Sequence, residues 1–273
     1  MKRLSDDLMS ILVRILIGAC FFFLLAPLAI AVVMSFDARP YLAAFPPPSL
    51  SWRWYDEFFS SDYYLKGLWL SILVSGLSTA IAMVSGVSMA VLVDRTYFPG
   101  RSLIVSLFMA PLVIPGVVIG FALLLFLSKI GIYDGFWRLM AGHILVAMPY
   151  TFRTTLVGLA SIPRSYAEAA MSLGANERQV FWTVTLPLAK TGITAGAIFA
   201  FAFSLDDASL SMFLSDPKSY TLPVAMLSMM RADFNLTIAA AAVVLLALTV
   251  IIIILLDLTV GLERVLGQGL YRG

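Results

Sequence analysis

One cysteine and one histidine stand in a chain of 273 residues. The lone Cys20 lies inside an apolar run, so neither an intrachain disulfide nor a thiolate metal site can form. His143 has no second histidine to join, which excludes a two-histidine zinc or haem site. Two roles stay open for it: a polar side chain satisfied against a neighbouring helix, or a proton relay. Charge is scarce too, at 12% of residues against roughly 25% in a soluble domain. No Walker-type phosphate loop and no kinase or hydrolase signature is present, so the chain reads as a non-enzyme whose energy comes from elsewhere. The opening apolar run is expected to be a retained anchor rather than a removable signal peptide. Lys2 and Arg3 precede the first apolar run, but that run is too long for a secretory h-region and no small-residue cleavage site follows.

What is there is hydrophobic: 61% of the residues, with a mean hydropathy of +0.96. Six apolar stretches of spanning length are expected at Ile11 to Phe36, Gly67 to Val93, Leu103 to Leu127, Leu139 to Ser161, Leu188 to Leu214 and Leu236 to Val260. The expected class is all-α, a polytopic membrane protein of six transmembrane helices forming a single permease domain over 1–273. The fourth stretch is the weakest, diluted by His143, Pro149 and Arg153; the alternative for it is a re-entrant or interfacial segment. With the N-terminus inside, eleven of the 18 Lys and Arg residues fall on the cytoplasmic side, among them Arg95, Arg164, Arg178, Arg264 and Arg272. That bias places both termini in the cytoplasm, and the segment from Glu168 as well if four spans precede it.

That segment, "EAAMSLGANERQVFWTVTLP", is the polar interruption of the chain. Pro163 suits a first helical turn, and helix formers run from Arg164 to Leu173. Gly174 fits a left-handed C-terminal cap. Asn176 then caps a second helix with Gln179 three residues on, and Pro187 starts the next span. Small residues around the turn let another surface approach the backbone. The competing reading is an amphipathic hairpin lying at the bilayer interface.

The pattern Glu168, Ala169, Ala170, Gly174, Leu186, Pro187 resembles the EAA loop of membrane subunits of bacterial ATP-binding cassette importers, and the six-span layout matches that family. The resemblance implies that 162–187 is a cytoplasmic coupling loop seated on an ATPase subunit. Its implied partners are a second homologous permease, two cytoplasmic ATP-binding cassette subunits, an extracytoplasmic solute-binding protein and membrane lipid, with no nucleic acid. It also implies no cofactor in this chain, since ATP and magnesium belong to the partner ATPases, and a place in the bacterial inner membrane. A nucleotide-independent channel is the alternative class.

"SWRWYDEFF", "APLVIPGVVIG" and "FSLDDASLSMFLSDP" are similar to the second permease of spermidine and putrescine importers, which implies a polyamine substrate. Opine, aminophosphonate, thiamine and iron permeases are related alternatives. Two departures from that branch remove negative charge: Gly116 and Leu236 stand where acidic residues are common. Asp206 and Asp207 follow an apolar run, about 24 Å along a helix from Lys190. Being adjacent, roughly 100° apart on a helix, only one is expected to face a pathway; a capping or pairing role is the alternative. Pro111 and Pro115 predict a kinked or broken helix, so Pro115 and Gly116 line a candidate path or pack against small residues. Trp52, Trp54 and Tyr55, beyond a triple proline, are candidate contacts for the binding protein or interfacial anchors.

Overall fold

A backbone inside hydrocarbon has no water to bond with and bonds to itself, which favours helices. The computed structural model describes residues 2–41, 43–232 and 234–260, and among them every regular element is helical apart from one isolated bridge between Asp37 and Leu50. The helices are α1 (Lys2–Met34), α2 (Arg53–Ser60), α3 (Asp62–Arg95), α4 (Arg101–Met109), α5 (Gly116–Lys129), α6 (Gly135–Ala160), α7 (Arg164–Ser172), α8 (Glu177–Val180), α9 (Leu186–Asp206), α10 (Ser211–Leu214), α11 (Leu222–Ala232) and α12 (Thr237–Val260). Arg264 and Arg272, assigned above to the cytoplasmic side, lie outside the described residues.

Among the described residues four helical stretches are each long and apolar enough to cross a membrane: Met9–Met34, Asp62–Arg95, Glu177–Asp206 and Thr237–Leu256. Two bent pairs raise the number to six if each is one span, Arg101–Leu112 with Gly116–Lys129 at 105° and Gly135–Ala160 with Arg164–Ser172 at 67°. The third expected span is thus broken, as its prolines imply: Pro111 sits in a 3-10 turn (Ala110–Leu112) that ends α4, and Pro115 is the residue before α5. The weak hydropathy of the fourth has a packing reason. Its helix, α6, runs through protein rather than lipid and buries His143, Thr151 and Thr155 beside Leu139, Phe152 and Leu159.

Three expected boundaries are corrected. Pro163 precedes α7 as its N-cap rather than entering its first turn. Pro187 stands in the first turn of α9, but α9 is not separate from the hairpin's second helix: the helical stretch is continuous from Glu177 to Asp206. A π turn over Phe181–Thr185, with the Leu186 N–H bonded to Phe181 O, widens the helix just before the proline, where its ring and missing donor would otherwise conflict with the preceding turn. The fifth span ends at Asp206 instead of Leu214, because Asp207 is extended (φ −69°, ψ 120°) and α10 is a separate short helix.

Two compact units can be described within the chain. In the unit of Met1–Asp62 and Ser228–Leu246, Trp54 donates through Nε1 to Asp37 O at 2.7 Å, and Tyr55 Oη bonds Ser35 Oγ at 2.8 Å. Both rings pack with Met34, Leu236 and Ala240. The Arg39 guanidinium bonds the Asp37 carboxylate and holds its carboxyl below the usual range, against the opposing effect of burial.

In the unit of Tyr63–Leu227 and Ala247–Gly273, α6 and α9 form the closest helix pair. Glycine makes this possible: a methyl group on Gly192 of α9 would stand 2.6 Å from Thr154 O and 3.0 Å from Gly158 Cα of α6. Small residues let bilayer helices approach where lipid supplies no hydrophobic driving force. Gly192→Ala is therefore expected to cost about 2 kcal/mol by overpacking and to lower the melting midpoint in detergent. Gly18→Ala, with nothing within 4 Å, serves as the control; equal midpoints for the two variants would refute the close approach.

Candidate functional site

The polar interruption folds as the hairpin its caps dictate. At the end of α7 the N–H of Gly174 bonds Met171 O at 2.9 Å and the N–H of Ala175 bonds Ala170 O at 3.1 Å, the Schellman arrangement, with Gly174 at φ +91°. Asn176 and Gln179 form a complete capping box: Asn176 N–H to Gln179 Oε1 at 2.8 Å, Gln179 N–H to Asn176 Oδ1 at 2.9 Å. Glu168 and Ala169 are exposed on α7, and Tyr166, Met171 and Leu173 leave apolar surface open, Leu173 at 89% exposure. Exposed apolar side chains gathered at a rigid turn mark a surface for a partner.

The hairpin is tied to α3. Arg95 donates through Nη2 to Thr185 Oγ1 at 2.5 Å and lies over the Phe181 ring, 5.4 Å from its centre. Between them opens a cleft of about 590 Å³ lined by Asp94, Arg95, Arg164, Glu168, Glu177 and Thr185, among others. Leu186 and Pro187 sit just beyond, inside the continuous helix, so no loop separates the hairpin from α9.

The acidic pair divides its labour, though not for the reason of helical phase. Asp206 is exposed at the last position of α9; Asp207, extended and 9% exposed, receives the N–H groups of Leu210 (3.1 Å) and Ser211 (3.0 Å) on Oδ2 and the Ser209 hydroxyl on Oδ1. It caps α10. Gly116 reaches the same turn, since a Cβ on it would stand 2.5 Å from Ser209 Oγ. The break between α4 and α5 and the break after α9 thus pack together, with Gly116 and Asp207 both against Ser209. Phe199, Phe203 and Asp206, spaced four and three, share the exposed face of α9, and the Phe203 ring lies 5.2 Å from Tyr150.

The aromatic trio of the outer loop separates. Trp54 and Tyr55 are buried, at 2% and 7% exposure, so only Trp52, at 64%, is accessible to a partner. Sequence reasoning missed Ser78, which bonds Ser204, and also Ser204 and Ser211, which bond the two ring nitrogens of His143. A signal existed for the first: Ser71, Ser75 and Ser78, spaced four and three, put hydroxyls on one face of α3, and all three are buried. It missed Asp216 too, whose Oδ2 accepts the first N–H of α6, Gly135, at 2.7 Å while Oδ1 closes the loop onto Lys218 and Ser219. Burial pushes the Asp216 carboxyl up, but these backbone donors and the Lys218 charge outweigh it and hold the group below its usual range.

Residues 82–261 match the family described as Binding-protein-dependent transport system inner membrane component. The chain belongs to this family. It is 33% identical over 237 residues to Putrescine transport system permease protein PotI of Escherichia coli, across 84% of this chain and 83% of that one. It is 28% identical over 209 residues to Spermidine/putrescine transport system permease protein PotC of Haemophilus influenzae, across 77% and 80%. Its fold matches a chain of a bacterial ABC transporter involved in the import of the acidic polysaccharide alginate, with a TM-score of 0.73 over 94% of this chain and 98% of that chain at 18% identity. This is a multi-pass inner-membrane permease subunit of an ABC importer, a transport family rather than an enzyme family. The matched residues of the permease include the hairpin and the two breaks; Trp52, Trp54 and Tyr55 precede them.

Capping makes a prediction that separates the two carboxylates. Asp207→Ala leaves two buried helix donors without their acceptor, at about 1 to 3 kcal/mol, and is expected to lower both the melting midpoint and the yield of assembled complex. Asp206→Ala is expected to leave both unchanged. The capping assignment fails if Asp207→Ala is as stable as wild type.

Proposed function

We propose that this permease moves a small organic cation into the cytoplasm, a polyamine such as putrescine or spermidine, as half of a pathway completed by a second homologous permease. The observation that carries the substrate class is the exposed carboxylate of Asp206 in line with Phe199 and Phe203, with Tyr150 beside them. A carboxylate pairs with an ammonium, and aromatic faces attract one. The permeases similar in sequence whose names state putrescine or spermidine support the same class. Gly116 and Leu236 supply no further negative charge, so Asp206 is the main recognition group this chain offers. An opine, aminophosphonate, thiamine or iron importer is the alternative, and it would show no polyamine uptake.

The hairpin from Arg164 to Pro187 is the docking element for one of two cytoplasmic ATPase subunits, which bind the ATP and magnesium. Glu168, Ala169, Ala170 and Gly174 shape the turn, and Leu186 and Pro187 carry its displacement into α9. Its exposed apolar tip supports this role. Both termini then lie in the cytoplasm, while the opposite side, with exposed Trp52, meets the solute-binding protein. Closure of the ATPases swings the hairpins and alternates access to the pathway.

Two experiments test this reading. In proteoliposomes holding the full complex, Asp206→Asn is expected to lower putrescine uptake per assembled complex roughly tenfold to hundredfold, the worth of a charge-assisted hydrogen bond of about 1.5 to 3 kcal/mol; an unchanged rate rejects the cation assignment. Gly174→Val, at a position with open space and φ +91°, strains only the backbone, by about 1 to 2 kcal/mol. The variant should assemble yet lose stimulation of ATP hydrolysis by solute-loaded binding protein, and wild-type stimulation would rule out coupling through this turn.

A further inference from the structure

The one histidine of the sequence is 2% exposed, and both of its ring nitrogens are bonded: Nδ1 to Ser204 Oγ at 2.7 Å and Nε2 to Ser211 Oγ at 2.9 Å. Ser211 in turn donates its hydroxyl hydrogen to Asp207 Oδ2 at 3.1 Å. A serine hydroxyl has a single hydrogen. With that hydrogen spent on Asp207, Ser211 Oγ accepts from His143, so the ring carries its proton on Nε2. Nδ1 is then an acceptor and takes the Ser204 hydroxyl. Ser204 Oγ is left to accept from Ser78 at 3.2 Å, and Ser78 shares its hydrogen with Ser75 O. The result is one directed chain of hydrogen bonds from α3 through α9 and α6 to the carboxylate that caps α10.

We propose that His143 is a positioning residue: its Nε2–H holds Ser211, and through it Asp207, so that the break displaying Asp206 keeps one geometry while the surrounding helices move. This inference rests on the reading of that break as part of the solute path. The alternatives for the imidazole are weaker on geometry. Filling space needs no partner at either nitrogen, and a relay needs an outlet to water, whereas Ser78 and Asp207 at the two ends are both buried. A directed strut also explains why a costly polar group is kept inside the bundle, since every member from Ser204 to Asp207 has a partner.

Amide substitutions separate the two nitrogens, because Asn places its polar atoms near the position of Nδ1 and Gln reaches the position of Nε2. Uptake of putrescine per assembled complex and the melting midpoint would be measured in the full complex for His143→Asn, His143→Gln, Ser211→Ala and the double variant His143→Asn with Ser211→Ala. His143→Gln is expected to keep transport near wild type, while His143→Asn and Ser211→Ala each lose roughly tenfold, the weight of a single hydrogen bond. The double variant should be no worse than either alone, since both cut the same link. Equal losses for Asn and Gln, or losses that multiply in the double variant, overturn the proposal. If His143→Asn does not assemble, Ser211→Ala still decides, and normal transport in that variant refutes the strut. Failure of the solute-path reading has a different signature: Asp206→Asn transports normally while the Asn and Gln variants still differ in melting midpoint.

Discussion

Inside a bilayer an unpaired backbone N–H or C=O costs several kcal/mol, so a helix can be interrupted only where the protein supplies the missing partners. This permease interrupts two spans, and the two breaks pack against each other. Asp207 accepts the N–H groups of Leu210 and Ser211 where α10 starts, while Pro115, the residue before α5, has no N–H to satisfy and Gly116, the first of α5, has no side chain and so admits Ser209. Removing either device would expose backbone at membrane depth. The placement of Asp206 follows from this constraint, because α9 stops at the residue before the cap.

The same economy governs the polar side chains of α6. A helix facing lipid would exclude His143, Thr151 and Thr155, and their presence dilutes its hydropathy; here each faces protein. Thr151 bonds Ala82 O of α3 at 2.8 Å, and His143 bonds Ser204 and Ser211. Glycines at 86, 158, 192 and 196 bring α3, α6 and α9 close enough for these bonds to form. Weak apolar character and central position in the fold are thus one fact seen twice.

At the hairpin the constraint is conformational. Gly174 takes the left-handed conformation that closes α7, the capping box opens α8, and the π turn carries the helix through Pro187 without a break. The turn that exposes Leu173 leads directly into a continuous helical stretch of 30 residues, about 45 Å long, that runs from Glu177 to Asp206. The proposed docking turn and the proposed solute-facing carboxylate are thus joined by one continuous helical stretch.

By itself, the sequence determined what depends on neighbours along the chain: the helical class, the number of apolar stretches, the caps at Gly174 and Asn176, and the break at Pro115, since hydropathy, φ preferences and missing donors act over a few residues. Its family likeness, carried by Glu168 to Pro187, was legible for the same reason. Only the tertiary structure decided what depends on residues far apart. It turned Asp207 into a cap and left Asp206 free, buried Trp54 and Tyr55 while exposing Trp52, and carried the helix past Pro187. It also joined Ser78, His143, Ser204 and Ser211, which are up to 133 positions apart in the chain. Hydrogen bonds between such residues depend on how helices pack, and in this permease that packing is set by where glycine lets two backbones meet.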